Sequence, residues 1–343
     1  MVSAALDALS DLQLTELVRA GRGGRVGVGG STLTIEVAGQ HVFVKLIPVT
    51  ALEHAAGPGC TQNLFGLPTW YQYGVGEGST GFSVWREVAA HQSASDWVRH
   101  EECDNFPLLY HWREIPHEQV GGMGIDPDGI DRAVRFWGQS QAIETRLRAL
   151  ARSRTVVALF LEHIPFVLRP WLSNQLNAGG RQAAAAVRLV DEQLSRIVEH
   201  LRSHGMSHFD AHFDNVLTDG ERIYLSDFGL ATSQDFQLDT IEREFVILTS
   251  DHDVAYGATV LVNTIASICV GFAGPGQRND YLRGCHDSGL APGLTGSIAD
   301  TVIRHASVAS IVNDFYWKLH DGDVTTAYPA TSIATAIERA GMR

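Results

Sequence analysis

The sequence predicts an α+β chain with a small β-rich N-terminal part and a mostly helical C-terminal part. Three observations predict it. The 343 residues are more than one small core requires and suit a bilobal enzyme or two modest domains. Strand-like apolar alternation falls early, at Leu33, Ile35 and Val37, and the stretches Phe166–Leu176 and Arg181–His204 read as helices. Apolar residues make up 45%, an ordinary globular content, so the default is a folded chain.

Taken in order, Ser10 can cap a helix over Asp11–Arg19 with Leu12, Leu14, Leu17 and Val18 facing inward, and Gly21 ends it. The glycine run Gly21–Gly30 then reads as a loop at the entrance of a two-strand ribbon, with a turn at Ala38, Gly39 and Gln40 and a second strand over His41–Leu46. Lys45 is the single charge in that apolar strand. A lysine there is costly unless paired. A glycine-rich segment near residues 50–80 reads as an insertion, and Val84, Val88, His91 and Trp97 give one face of a helix. An apolar strand, Phe106–Trp112, follows it. Next come a loop, His117–Gly129, and an amphipathic helix around Asp131–Leu150, together a second insertion. Val156–Leu161 is a buried strand running into Glu162, His163, Ile164 and Pro165, and Phe166–Leu176 and Arg181–His204 read as helices.

The net charge of −13 argues against a nucleic-acid or anionic-membrane surface, because phosphate-backbone affinity comes mainly from Lys and Arg. One bound nucleotide is still allowed, since a cation and a single lysine can meet its charge. The four cysteines, Cys60, Cys103, Cys269 and Cys285, are scattered and form no CxxC pair, as expected of reduced thiols in a cytoplasmic protein. The N-terminus carries Asp7 and Asp11 and no basic lead into an apolar run, so it does not read as a secretory signal. Val254–Pro275 has no charge and is about long enough to span a membrane, but Asn263, Thr264 and Ser267 interrupt it. A buried central helix is the expectation.

Chemistry concentrates in Ser207–Thr232, SHFDAHFDNVLTDGERIYLSDFGLAT. Asp210 is followed five residues later by Asn215, and a turn and short strand deliver Asp227, Phe228 and Gly229 17 residues after Asp210. Such a loop and hairpin can aim three oxygen-bearing side chains at one point, which suits a hard cation carrying nucleotide phosphates. The same stretch also offers His208, Asp210, His212 and Asp214, residue types that suit a zinc or iron hydrolase site, although that reading uses neither Asn215 nor the later triplet.

In order, His208, Asp210, Asn215, Asp227, Phe228 and Gly229 fit H-x-D-x-x-x-x-N followed by D-F-G. The chain thereby resembles the protein-kinase-like superfamily, nearest in motif detail to aminoglycoside-type small-molecule phosphotransferases. The resemblance covers about residues 21–265, with its firm matches in the last sixty of these. It implies a bilobal kinase-like fold dividing into 1–163 and 164–343, with Glu162 and Ile164 at a hinge that binds the adenine. It implies ATP as donor, with GTP also possible, and Mg²⁺ held by Asn215 and Asp227. Asp210 would take the proton of the acceptor hydroxyl, and Lys45 would orient the phosphates while pairing with Glu87 in preference to the nearer Glu53. Gly27, Gly29 and Gly30 would approach the phosphates, although their spacing fits G-x-G-x-x-G only loosely. His208 would be structural, and Asp253 would brace the catalytic loop.

Two departures bear on the acceptor. His212 stands where Ser/Thr protein kinases usually carry Lys, and no A-P-E follows the D-F-G. Both favour a hydroxyl on a small molecule such as an antibiotic or metabolite over one on a protein. A Ser/Thr protein kinase and a nucleotide-binding pseudokinase scaffold stay open as alternatives.

Overall fold

The chain is mixed α/β, with one five-stranded antiparallel sheet and a mostly helical remainder. The computed structural model describes residues 1–27, 29–116 and 127–342. It divides into two units, Met1–His163 with Asp227–Arg243, and Ile164–Ser226 with Glu244–Arg343.

The first unit is built on the sheet, whose strands run β1 (Arg22–Gly27), β2 (Gly30–Val37), β3 (Gln40–Val49), β5 (Thr155–Glu162), β4 (Leu109–Pro116) across its width. Ala38 and Gly39 both take positive φ, 52° and 76°, between β2 and β3. This two-residue turn has the twist that a tight hairpin needs. Two expectations need correction here. The glycine run, expected as an open loop, is mostly strand, because β2 offers an unpaired edge and an edge strand tolerates glycine where the register shifts between Arg22 and Arg25. The apolar strand expected at Phe106 begins at Leu109 instead.

The period of two sorts β3 between two cores. Val42, Val44 and Leu46 pack with Leu6 of helix α1 (Val2–Asp7) and with Leu14 and Val18 of helix α2 (Asp11–Arg19). Phe43, Ile47 and Val49 face Val84, Trp85 and Val88 instead. Lys45 shares the parity of that second set, so it falls on the same face of β3. The α2 cap is as the sequence predicts, with Ser10 accepting from the Gln13 amide, but Leu12 is exposed rather than inward-facing. Helical spacing lets Leu14 and Val18 share one face, and position 12 lies off that face.

Helix α3 (Ala51–Ala56) is held by a capping box in which Thr50 and Glu53 serve each other's backbone amides. Glu53 is buried, and its carboxylate also accepts from the Val84 amide and from Arg146 Nη1, both at 3.0 Å. Burial pushes the Glu53 carboxyl up, but Arg146 and these amides outweigh that and hold it below its ordinary value. Helix α4 (Val84–Arg99) packs on the sheet. The expected single helix over residues 131–150 is two, α5 (Pro127–Phe136) and α6 (Gln141–Leu150), broken where Gly138 and Gln139 turn left-handed. The loop expected over His117–Gly129 lies outside the described residues up to position 126.

A single division at residue 163 would leave Asp227–Arg243 in the second unit, yet these residues belong to the first. The reason is local. Asp227 pairs with Lys45, and the Phe228 ring meets His91 edge-on at 5.0 Å and lies 6.0 Å from Phe106.

The second unit is helical, with α7 (Leu168–Ala178), α8 (Gly180–Ser203), α10 (His252–Ile265), α11 (Pro275–Ser288), α12 (Gly296–His320) and α13 (Ala330–Arg339). The intervening α9 (Thr240–Leu248) contains the boundary at residue 243. Leu168, not Phe166, opens α7, because Phe166 and Val167 pair into a small ribbon with Val216–Thr218, itself paired with Ile223–Leu225. His252–Val270 is the one helical stretch among the described residues long and apolar enough to cross a membrane, and 61% of its apolar window is buried within the fold. It packs against α8 and α12.

Glu53→Ala strands a buried guanidinium, so urea unfolding at pH 7 should show a loss of about 3–5 kcal/mol. Because the Glu53 carboxyl is depressed, its contribution is present above the ordinary carboxylate range and is lost as pH falls through its folded value. The gap between wild type and variant should therefore narrow in acid. A gap that is small at pH 7, or constant with pH, would contradict the assigned role of the ion pair.

Candidate functional site

The sequence-predicted residues fall into two sets, one in each unit. In the first unit, the register of β3 turns Lys45 toward α4, one helical turn into which stands Glu87. The Lys45 ammonium lies 2.6 Å from Glu87 Oε1 and 2.6 Å from Asp227 Oδ1, and Lys45 is only 7% exposed. Lys45 therefore pairs with Glu87 and not with Glu53, whose carboxylate is committed to Thr50, Val84 and Arg146. Asp227 is held at φ 62° and ψ 74°, a left-handed conformation uncommon for a residue with a Cβ, and its carboxylate accepts from the Gly229 amide at 3.3 Å.

One cation here serves two anions. Burial alone would lower the Lys45 pKa, but Asp227 and Glu87 overcome that and hold it above the ordinary lysine range. Glu87 is pushed up to about 7, by burial first, with the Asp227 charge adding to it and Lys45 opposing. His91 Nε2 stands 3.9 Å from Glu87 Oε1. With both carboxylates ionised, the trio carries one net negative charge. The Asp227 side chain, 40% exposed, is the part of it that can meet a ligand from solvent.

In the second unit, the loop 208–215 is fixed from several sides. Asp253, in the first turn of α10, accepts from the His208 amide at 2.6 Å and from the Phe209 amide at 2.9 Å. Those bonds hold Phe209 at φ 65°, a conformation that costs about 1–3 kcal/mol for a residue with a side chain. The Phe209 ring also stacks on His252 and Phe245. His208 uses both ring nitrogens on backbone, Nε2 with the Ser226 carbonyl at 3.0 Å and Nδ1 with the Asp210 amide at 3.2 Å. Asn215 Nδ2 donates to Asp210 Oδ2 at 2.9 Å and to the Asp210 carbonyl at 3.0 Å, which orients the carboxylate and leaves Oδ1 as the acceptor end of the amide. His212 Nε2 is 3.5 Å from Asp210 Oδ1. Asp214 pairs instead with Arg169 at 2.7 Å.

These partners bear on the zinc or iron alternative. Both nitrogens of His208 are directed to backbone groups and Asp214 is neutralised by an arginine, so this loop does not assemble the four-residue ligand set that the sequence allowed.

The remaining predicted residues fall elsewhere. Gly27 ends β1, and Gly29 lies in the turn before β2. Gly30 has a structural requirement of its own: it adopts φ +149°, and a Cβ there would collide with the Leu46 carbonyl of β3. Glu162 closes β5, where its amide donates to the Leu108 carbonyl at 2.8 Å and its carboxylate accepts from the Leu108 amide at 3.2 Å. Ile164 is half-buried at the start of the second unit. Two constraints escaped the sequence reading. The signature Thr50-x-x-Glu53 was available to assign Glu53 to a cap. The contact of Gln72 with the carbonyl of Leu230 spans too much sequence to carry a local signal.

No family model matches this chain, and no curated protein matches it.

Burial pushes the Asp253 carboxyl up, but its hydrogen bond to His252, the electrostatic pull of the neighbouring His252 and His208 rings, and the His208 amide together hold it below the ordinary value. Asp253→Asn cannot accept from two amides with equal strength, and urea unfolding at pH 7 should show a loss of about 1–3 kcal/mol. The depressed carboxyl contributes above the ordinary carboxylate range and loses that contribution as pH falls through its folded value. Equal stability of wild type and variant at pH 7 would show that the loop 208–215 does not depend on this brace.

Proposed function

We propose that the chain is an ATP-dependent phosphotransferase of the protein-kinase-like superfamily, its two units corresponding to the two lobes of that fold. It transfers the γ-phosphate to a hydroxyl of a small molecule. The observation that carries this reading is the Lys45 ammonium placed 2.6 Å from both Glu87 and Asp227. An unpartnered lysine in a strand would have argued for a bland structural role; a lysine braced between a helix carboxylate and the D-F-G aspartate supports a phosphate-orienting one.

Phosphoryl transfer asks the protein for alignment and charge neutralisation rather than for covalent chemistry. Lys45, held in place by Glu87, orients the α- and β-phosphates. Asp210, oriented by the Asn215 amide, accepts the proton of the acceptor hydroxyl as its oxygen bonds to the γ-phosphorus. The bond from that phosphorus to the β-phosphate oxygen breaks, and the nucleoside diphosphate leaves with the electron pair. Within the first unit the chemistry suits Mg²⁺: Lys45 stands between two carboxylates, and the Asp227 carboxylate is a partly exposed hard oxygen donor. Mg²⁺ held by Asp227 and Asn215 would supply neutralisation of phosphate charge. His208 and Asp253 stay out of the chemistry and hold the loop.

His212 in place of lysine and the absence of A-P-E favour a small-molecule acceptor over a protein. The test combines labelled ATP and Mg²⁺ with generic protein acceptors and with a panel of hydroxylated antibiotics and sugars. On the acceptor so found, Asp210→Asn should leave nucleotide affinity within a few-fold while turnover drops by about 10² to 10⁴. Lys45→Met should impair nucleotide binding as well as turnover. Full turnover by Asp210→Asn would remove the assigned base, and nucleotide binding without transfer to any acceptor would favour the pseudokinase scaffold.

A further inference from the structure

The insertion near residues 50–80 has no assigned part in the reaction, yet in the first unit it packs along the segment that begins with Asp227. Gln72, 3% exposed, donates from Nε2 to the Leu230 carbonyl. That carbonyl ends the short 3₁₀ turn Phe228–Leu230, whose N-cap is Asp227. Gly81 lies so close that a Cβ would collide with the Gly229 carbonyl, and its φ of +67° suits glycine on its own account. Further along, the Gln237 amide donates to Thr61 Oγ1 at 2.8 Å. Arg86 joins the two segments, with Nε on the Thr61 carbonyl and Nη2 on Glu242, both at 2.7 Å. Its guanidinium also lies 5.2 Å from the Phe82 ring and 5.8 Å from the Phe236 ring.

We infer that Gln72 is a positioning residue for Asp227, and that the insertion as a whole latches residues 227–242 in the arrangement that presents the Asp227 carboxylate to Lys45. The inference rests on the proposed phosphotransferase reading only for what Asp227 then does. The latch itself follows from the geometry. Asp227 sits in a left-handed conformation that a short turn does not enforce alone: within the turn its carboxylate accepts from the Gly229 amide at 3.3 Å, and its 2.6 Å partner Lys45 stands on β3, outside the turn. A buried side-chain donor on the last carbonyl of the turn, and a glycine pressed on the one before, remove the freedom the turn would otherwise have. The consequence is an aspartate set in place by the chain's own insertion, without a modification or a partner to order the segment.

The test uses Gln72→Met in the full-length protein, because methionine keeps length and burial but offers no donor. Two readouts are needed, and neither requires nucleotide or acceptor. The first is the titration of the Glu87 carboxyl by ¹³C NMR, assigned with Glu87→Gln; the charged or titratable groups facing it are Lys45, Asp227 and His91. Release of Asp227 removes one negative charge from this group and leaves Lys45 to Glu87, so the Glu87 midpoint should move down from about 7. The second is amide exchange of Ala231, which donates to the Phe228 carbonyl across the same turn, and it should quicken by about fivefold or more. A folded Gln72→Met with both readouts unchanged overturns the inference. If that variant does not fold, native-state exchange of the wild type decides: Gly74 and Ala231 opening together at one denaturant dependence supports the latch, and separate openings overturn it. A protein that transfers no phosphate can still pass this test.

Discussion

The first unit depends on the sharing of one buried ammonium between two carboxylates. Lys45 could not stay ionised in that face of the sheet alone, and Glu87, on the face of α4 that meets the sheet, would not stay ionised without Lys45. Their mutual dependence ties a strand, a helix and the segment after the second ribbon into one electrostatic unit. It also explains why Asp227–Arg243 groups with the N-terminal residues although more than sixty residues of helix and ribbon intervene in sequence. A pair of opposite charges would be closed and inert. In the trio the Asp227 side chain, 40% exposed, is the member that a ligand from solvent can reach.

The second unit uses the same device with different parts. A buried carboxylate, Asp253, takes two successive backbone amides and thereby holds Phe209 in a conformation the residue would not choose. His208 and Asn215 then place the Asp210 amide and carboxylate. In both units a non-glycine residue at positive φ lies directly beside or at a residue of the proposed site, Phe209 before Asp210 and Asp227 itself. Strain is retained where hydrogen bonds over-determine the backbone.

Much of this was legible in the sequence because it is local or carried by spacing. The Ser10 cap, the tight turn at Ala38 and Gly39, helix α4 and helix α8 follow from caps, turn residues and apolar periods. The choice of Glu87 over Glu53 as the neighbour of Lys45 rested on the family resemblance, and the structure adds the reason that Glu53 is occupied by Thr50 and Arg146. What stayed hidden depends on partners distant in sequence. Arg22–Gly27 becomes a strand only because β2 has an open edge, and Leu12 is exposed because only part of α2 meets the sheet. The break at Gly138 and Gln139 was within reach of a turn-based reading, since glycine followed by an amide residue is turn chemistry. Gln72, in a glycine-rich stretch with no period, gave nothing to read until Leu230 was found beside it.

The central claim of the proposed function is that the Asp227 carboxylate, with a divalent cation, binds nucleotide phosphates. Calorimetric titration of ATP into the protein with Mg²⁺ and with excess chelator tests it most directly, repeated on Asp227→Ala. The account predicts binding to wild type that is far tighter with Mg²⁺, and a variant in which Mg²⁺ makes no difference. Binding that is indifferent to Mg²⁺ in the wild type, or a Mg²⁺ effect that survives in Asp227→Ala, would contradict it.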